Sequence, residues 1–481
     1  MAFVSFTFYI FLAVVVLAYY LVPCRWRWTT LLVGSLGFYL YLSDGSLAKL
    51  GILVGSALIC WFLALLQRQT PGLKRLWLGV ALAASALPLL LLKEAPFFLS
   101  RGDQTLPQWL AAPVGFSFYT LQLIAYTVDV YRAQTDPQKN FFKFLLFVSF
   151  FPQIIQGPIP RYNQLAPQLL EGHRFEERTF VRGFLLILWG FFLKLCIADK
   201  AAVVVNTVFD QYPTYQGTYV LVAGILYSFQ LYADFLSCTS FAQGTAELVG
   251  IHLSDNFHRP YLATSVQDFW RRWHISLSSW LKDYIYIPLG GNRKGTLRKF
   301  GNLLVTFAVS GIWHGAGYKF LFWGLLHGFY QIAGALLAPV RRTLGRFLQL
   351  PSHPLVHRAC QRLMTFILVM LAWIIFRADS LSIGLSMIRS LVTVPNLWIL
   401  TNDALFTLGL VWKEWGVLLF CLGVLLAASL WQERGIVIRD KILEAPLVVR
   451  WAFYIGTILF VMVFGTYGFG FDAQAFIYGG F

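Results

Sequence analysis

The chain has 481 residues, 58% of them hydrophobic and only 12% charged, with a mean hydropathy of +0.64. That apolar content exceeds what a soluble domain needs and points to a polytopic membrane protein. The net charge of +16 sits mostly in short loops between apolar runs, as basic cytoplasmic loops do, and argues against a nucleic-acid-binding face.

Apolar runs of spanning length occupy 8–22, 29–42, 50–66 and 76–92. No basic region precedes the first, so it reads as a retained span and not a cleaved signal. Arg25 and Arg27 follow it directly and place the N-terminus outside. Arg68, Lys74 and Arg75 fall in the next alternate loop, leaving 43–46 and 93–112 on the other face.

Residues 113–130 predict a fifth span that carries Gln122, Tyr126 and Asp129. The run 141–157 is interrupted by Pro152 and closes in GPIPRY, which cannot continue a helix. Broken helices at membrane depth survive where protein or a water-filled cavity covers the freed backbone, so both segments predict cavity walls. Further spans follow at 180–198 and 219–235, joined by a loop with a short apolar patch at 201–208, and Asp234 falls at the end of the second. Spans at 361–376, 381–394, 415–431 and 450–467 complete a count of roughly eleven. No internal repeat, low-complexity tract or long linker divides the chain. It reads as one all-α membrane domain, 1–481, with N-terminal spans to 112, a core from 113 to 338 and C-terminal spans beyond.

Cys24, Cys60, Cys196, Cys238, Cys360 and Cys421 are scattered, with no CxxC and no clustering with histidine; they read as packing residues, and no metal site is expected.

The polar chemistry concentrates between Asp268 and Gly328, where three histidines, a double arginine and five tryptophans interrupt the apolar background. Such groups are costly at membrane depth unless something uses them. Phe269, Trp273, Leu277, Trp280 and Tyr284 recur at spacings of 4, 4, 3 and 4, predicting one helical face over 269–284. With Arg271 and Arg272 on other faces, that helix is interfacial or packed beside a polar cavity. It stops at PLGGN and a basic run, Arg293, Lys294, Arg298 and Lys299, which reads as a cytoplasmic anchor or as a phosphate contact. Residues 302–312 re-enter the membrane and deliver Trp313-His314-Gly315, a histidine at the end of an apolar segment beside glycines that permit close approach. A structural histidine bonded to a backbone carbonyl fits the same local pattern, and His327 reads most simply as packing polarity.

DFWRRWHISLSSWLKDYIYIPLGGNRKG followed by SGIWHGAGYKFLFWGLLHG closely resembles the membrane-bound O-acyltransferase family, in its bacterial alginate O-acetylation branch. The likeness extends through PVGFSFYTLQLIAYTVDVYR, FFPQIIQGPIPRY, QLYADF and DNFHRPYLATSVQDFW to the final FIYGGF. The resemblance implies a fold of spanning, re-entrant and interfacial helices around a central tunnel, in a multi-pass protein of the bacterial plasma membrane. It implies that His314 is the essential histidine and that His274 occupies a second motif position, which is His or Asn across the family. Arg271, Arg272, Trp313, Asp234 and Asn256 follow as substrate-binding positions. QLYADF continues here as LSCTSFAQG in place of a Phe-Ser-Gly-Tyr-Ser-like run, which loosens the link to Asp234.

The implied reaction is acyl transfer from a thioester to a hydroxyl, with no bound cofactor: acetyl-CoA or an acyl-carrier protein as donor and an exported polysaccharide as acceptor. Relatives of this branch pass the group to a separate extracytoplasmic transferase of esterase-like chemistry, so such a partner is expected with the membrane lipid. The IPLGGNRKG loop, absent from D-alanyl transfer proteins of teichoic acid modification, favours acetyl transfer over D-alanyl transfer. A glycan or lipid flippase using the histidines as proton relays is the reading from another class, disfavoured by the lack of an inverted repeat.

Overall fold

A computed structural model describes residues 3–99, 113–349 and 352–467, with backbone alone over 93–99. The described residues form helices without strands, the arrangement that satisfies backbone polar groups inside one segment where water is absent. Serine and asparagine start several of them: Ser5, Ser46, Asn140, Ser265 and Ser380 each accept a hydrogen bond from the backbone N–H three residues on. Among the described residues, seven helices are long and apolar enough to cross a membrane, or eight if the bent pair Tyr318–Leu336 and Ala338–Phe347 is one span. This number does not confirm the expected count near eleven. Several apolar runs make helices of 16 residues or fewer, and 16 residues rise about 24 Å against a hydrocarbon core of about 30 Å.

One compact unit holds the described residues of Met1–Gly190 together with Cys238–Asp255. It begins with α1 (Phe6–Leu21), α2 (Arg27–Leu42), α3 (Leu47–Gln69) and α4 (Lys74–Leu99). α1 buries Phe8, Leu12, Val15 and Tyr19, one helical face, and Phe8 packs its ring on Phe38 of α2 at 5.7 Å. Arg27 is not the loop charge that the sequence suggested. It is buried, and its guanidinium donates to the carbonyls of Val22, Tyr20 and His173, so sidedness at this turn rests on Arg25. α4 outruns its expected end and takes in the first part of the anticipated 93–112 loop; 100–112 lie outside the described residues.

The start of α5 (Phe116–Tyr131) meets the turn at Pro152. α5 is buried along most of its length, and α6 (Phe141–Ser149) ends before Pro152. Gly115, at φ +72°, caps α5 against the turn after α6, where a side chain would overlap the Ile154 carbonyl oxygen. Helix α7 (Tyr162–Glu171) and all but the last residue of α8 (Glu177–Phe191) follow in this unit.

The second compact unit holds Phe191–Ser237 and the described residues of Asn256–Ala473. α8 continues through a π-helical turn, Phe192–Ala198, into α9 (Asp199–Asp210). The apolar patch at 201–208, expected in a loop, is thus helical, and Ala201, Val204, Val205 and Val208 are buried. α10 (Thr218–Glu247) runs past the expected end at 235, which places Asp234 inside a helix and not at its terminus.

The helix expected over 269–284 is broken. α11 (Val266–Arg272) and α12 (Ile275–Leu281) are separate seven-residue helices, and α12 runs on into a π-helical turn, Lys282–Tyr286. The break sits at His274, whose backbone is left-handed at φ 44° and ψ 55°. α13 (Thr296–His314) and α14 (Tyr318–Leu336) form an antiparallel hairpin turning at Gly315–Gly317. Gly311 and Gly324 let its helices touch: a side chain on either would overlap a backbone carbonyl, of Phe320 or Phe307. α15 (Ala338–Phe347), α16 (Pro354–Arg377), α17 (Leu381–Thr393), α18 (Trp412–Glu433), α19 (Ile438–Glu444) and α20 (Leu447–Phe464) follow. The final FIYGGF falls outside the described residues.

Candidate functional site

His274, His314 and His327 come from three elements of the second unit and lie almost fully buried in one aromatic cluster. The Trp313 ring stands between the first two, 6.0 Å from His274 and 5.0 Å from His314. Trp323 joins the second and third, its ring 5.0 Å from each. Phe235 of α10 packs edge-on against His274 at 4.8 Å, and Phe376 of α16 lies 5.7 Å from His314. The hairpin turn delivers His314 to this cluster because α13 ends on it, and the glycines hold α14 close enough for Trp323 to reach it.

His274 is placed by backbone pairing on both sides. The His258 N–H donates to the Arg272 carbonyl at 2.9 Å, and the Ile275 N–H donates to the Asn256 carbonyl at 2.9 Å. Asn256 Oδ1 also accepts from the Ser276 N–H at 3.1 Å and from Ser276 Oγ at 2.6 Å, closing the first turn of α12. The left-handed conformation in between costs most side chains roughly 1–2 kcal/mol, and His and Asn are among those that tolerate it best. This gives a conformational reason for a histidine at the break. Among the described residues, neither ring nitrogen of His274 has a hydrogen-bond partner. A buried imidazole in that state carries a desolvation cost of about 1–3 kcal/mol that packing does not explain.

Asn256 therefore positions His274. Asn256→Ala should cost about 1 kcal/mol through the lost cap and lower turnover more than substrate affinity. Thermal midpoint and kinetics of the purified variant check this, and a change confined to KM would make Asn256 a substrate contact.

Burial without a partner pushes His274 down to about 3 from its ordinary 6.5, so the ring is neutral at physiological pH. In the unfolded chain the same ring takes a proton below about 6.5. The stability it contributes is complete above that pH and declines as pH falls from 6.5 toward 3. His274→Asn should make the thermal midpoint in detergent fall less steeply between about pH 6.5 and pH 4. An unchanged slope would show that the ring is solvated or paired.

The remaining positions separate from the histidines. Arg272 is tied into ion pairs: its Nη1 donates to both Glu433 oxygens at 3.2 and 3.0 Å, and its Nε donates to Asp268 at 3.1 Å. Arg259 Nε lies 2.9 Å from the same Glu433 carboxylate, so α11 is locked to the end of α18. Arg271 is exposed. Asp234 accepts from Lys194 at 2.9 Å, and Lys194 also reaches Asp199 at 2.8 Å, a buried ionic cluster around the π-helical turn. Asp234 is followed by Phe235, whose ring packs on His274.

Sequence reasoning missed Lys194, although a lysine inside the apolar run 180–198 is itself a signal of a functional or paired charge. It also missed Phe235, Phe376 and Trp373, which carry no polar signature, and Glu433, far away in sequence; the Trp373 ring lies 5.6 Å from Trp323 and 6.1 Å from His327. His327 is buried in the packing, where Trp270 Nε1 donates to its Nδ1 at 3.2 Å.

The membrane-bound O-acyltransferase family model matches residues 138–378, the stretch that contains every histidine of the cluster and its pairing partners. The chain belongs to the membrane-bound O-acyltransferase family. It is an O-acyltransferase and a multi-pass membrane protein. Peptidoglycan O-acetyltransferase of Helicobacter pylori is 36% identical over 397 residues, covering 75% of this chain and 73% of that protein. Probable alginate O-acetylase of Pseudomonas fluorescens is 34% identical over 78% of this chain and 72% of its own length. Teichoic acid D-alanyltransferase of Bacillus subtilis is more distant, 29% identical over 56% of this chain and 70% of its own.

Proposed function

We propose that this O-acyltransferase moves an acetyl group from a cytosolic thioester, acetyl-CoA or an acyl-carrier protein, to hydroxyls of an exported cell-envelope polysaccharide. Transfer is direct or passes through an extracytoplasmic esterase-like partner, and the enzyme sits in the bacterial plasma membrane. The carrying observation is the arrangement at the WHG turn: His314 shares the Trp313 ring with a buried His274 held in a costly backbone conformation. The names of the H. pylori and P. fluorescens relatives support the acetyl group and the polysaccharide class.

In this reading His314 takes the proton of the attacking hydroxyl as the oxygen bonds to the thioester carbon, and returns it to the departing thiolate. Imidazole suits both steps near neutral pH. Neutral His274 has an N–H to offer the oxyanion that forms on the carbonyl oxygen, in a site where the surrounding rings exclude water and strengthen that bond. Ion pairing of Arg272 with Glu433 and Asp268 favours a role in fixing α11 over direct contact with the thioester.

Base-labile esters on exported envelope glycans, identified by mass spectrometry in strains with and without the protein, test the proposal. Loss of acetyl ester supports it and names the acceptor. Loss of a D-alanyl ester moves the assignment to the chemistry named for the B. subtilis relative. An unchanged ester content overturns the acceptor class.

A further inference from the structure

From Tyr284 to Ala378 the chain contains no aspartate or glutamate, while arginines and lysines recur throughout. Within this stretch α15 is a helix of two kinds of surface. Val340, Leu344, Phe347 and Leu348 lie along one side at spacings of 4, 3 and 1, and all are exposed, Phe347 by 82%. Arg342 and Arg346, four residues apart, lie nearly opposite them, exposed to solvent. Arg341 is occupied differently: its Nη2 donates to the Gly334 carbonyl at 2.6 Å and closes the end of α14. The axis bends by 57° between α14 and α15, so α15 departs from the direction of the helix that precedes it.

The hairpin brings a second basic group to the same end. Gly311 and Gly328 of α13–α14 lie beside Phe320 and Leu304, respectively, which sets the two helices antiparallel. The start of α13 and the end of α14 therefore share one end of the hairpin. Arg293, Lys294 and Arg298, all exposed, precede or open α13 and so join Arg342 and Arg346. Basic residues in loops between spans mark the cytoplasmic face.

We propose that α15 lies in the cytoplasmic membrane interface as a surface helix and that Arg342 and Arg346, with the Arg293–Arg298 group, bind the headgroups of anionic phospholipids. The occupant follows from the two surfaces together. An apolar side ending in Phe347 and Leu348 is suited to acyl chains, and an acid-free basic side is suited to phosphates. A soluble phosphate-bearing carrier would account for the arginines but not for the exposed apolar side. This inference is independent of the acceptor and donor assigned above.

Full-length protein reconstituted in vesicles of phosphatidylglycerol and phosphatidylcholine, then extracted and analysed by native mass spectrometry, tests it. The wild type should retain phosphatidylglycerol preferentially, and Arg342→Gln with Arg346→Gln should reduce that preference by tenfold or more, at about fivefold per arginine. Phe347→Ser should weaken it as well, and both variants should keep the wild-type thermal midpoint because the side chains are exposed. Equal retention by wild type and arginine variant overturns the proposal. So does release of the retained lipid by soluble phosphopantetheine, which would assign the arginines to the carrier.

Discussion

His314→Ala is expected to lower acyl transfer by about 10²–10⁴-fold, the usual contribution of a positioned general base, while the protein stays in the membrane at its normal level. The ring is buried beside Trp313, Trp323 and Phe376, so alanine also removes packing. His314→Gln keeps the bulk and the hydrogen-bonding edge but cannot shuttle a proton, and it should lose activity to a similar degree. Measured per folded molecule with a thioester donor and an ester readout, normal turnover in the glutamine variant would remove the base assignment. A loss confined to folded yield would give His314 a structural role instead.

Lys194→Met should be strongly destabilising, by about 3–5 kcal/mol, because it removes the buried cation that contacts both Asp199 and Asp234. Replacing both acids by asparagine in the same protein should recover a large part of that loss, since the two buried negative charges are then gone. Thermal midpoints in detergent decide it. The same series assigns Asp234. If Asp234→Asn lowers stability and leaves KM unchanged, the carboxylate is a framework group that holds the π-helical turn. A raised KM with unchanged stability would restore it as a substrate contact.

The cluster divides along a physical line. His274 and His314 were legible because a polar group in an apolar chain is conspicuous, and because the RRWHIS and WHG motifs carry a strong resemblance. The aromatic rings that pack on them were not legible, since Phe235 and Phe376 look like any other apolar residue until the helices pack. Arg272 was visible as a charge, but its partner Glu433 lies 161 residues away, so its occupation could not be read from local pattern.

The break at His274 shows why periodicity misleads here. Spacings of 4, 4, 3 and 4 fit one helix equally well with or without a left-handed residue in the middle. Only the pairing of 256–258 with the backbone of Arg272 and Ile275 holds His274 in that conformation. Helix number was uncertain for a related reason: hydropathy records that a segment avoids water, and burial in protein satisfies this as well as lipid does.

By itself the sequence determined that the chain is an all-α membrane protein, and it singled out His274 and His314, between Asp268 and Gly328, as the candidate site, because composition and motif are local properties. The tertiary structure alone decided which charges are free and which are spent, and which rings enclose the site. Those depend on contacts between residues far apart in the chain, and no local pattern encodes them.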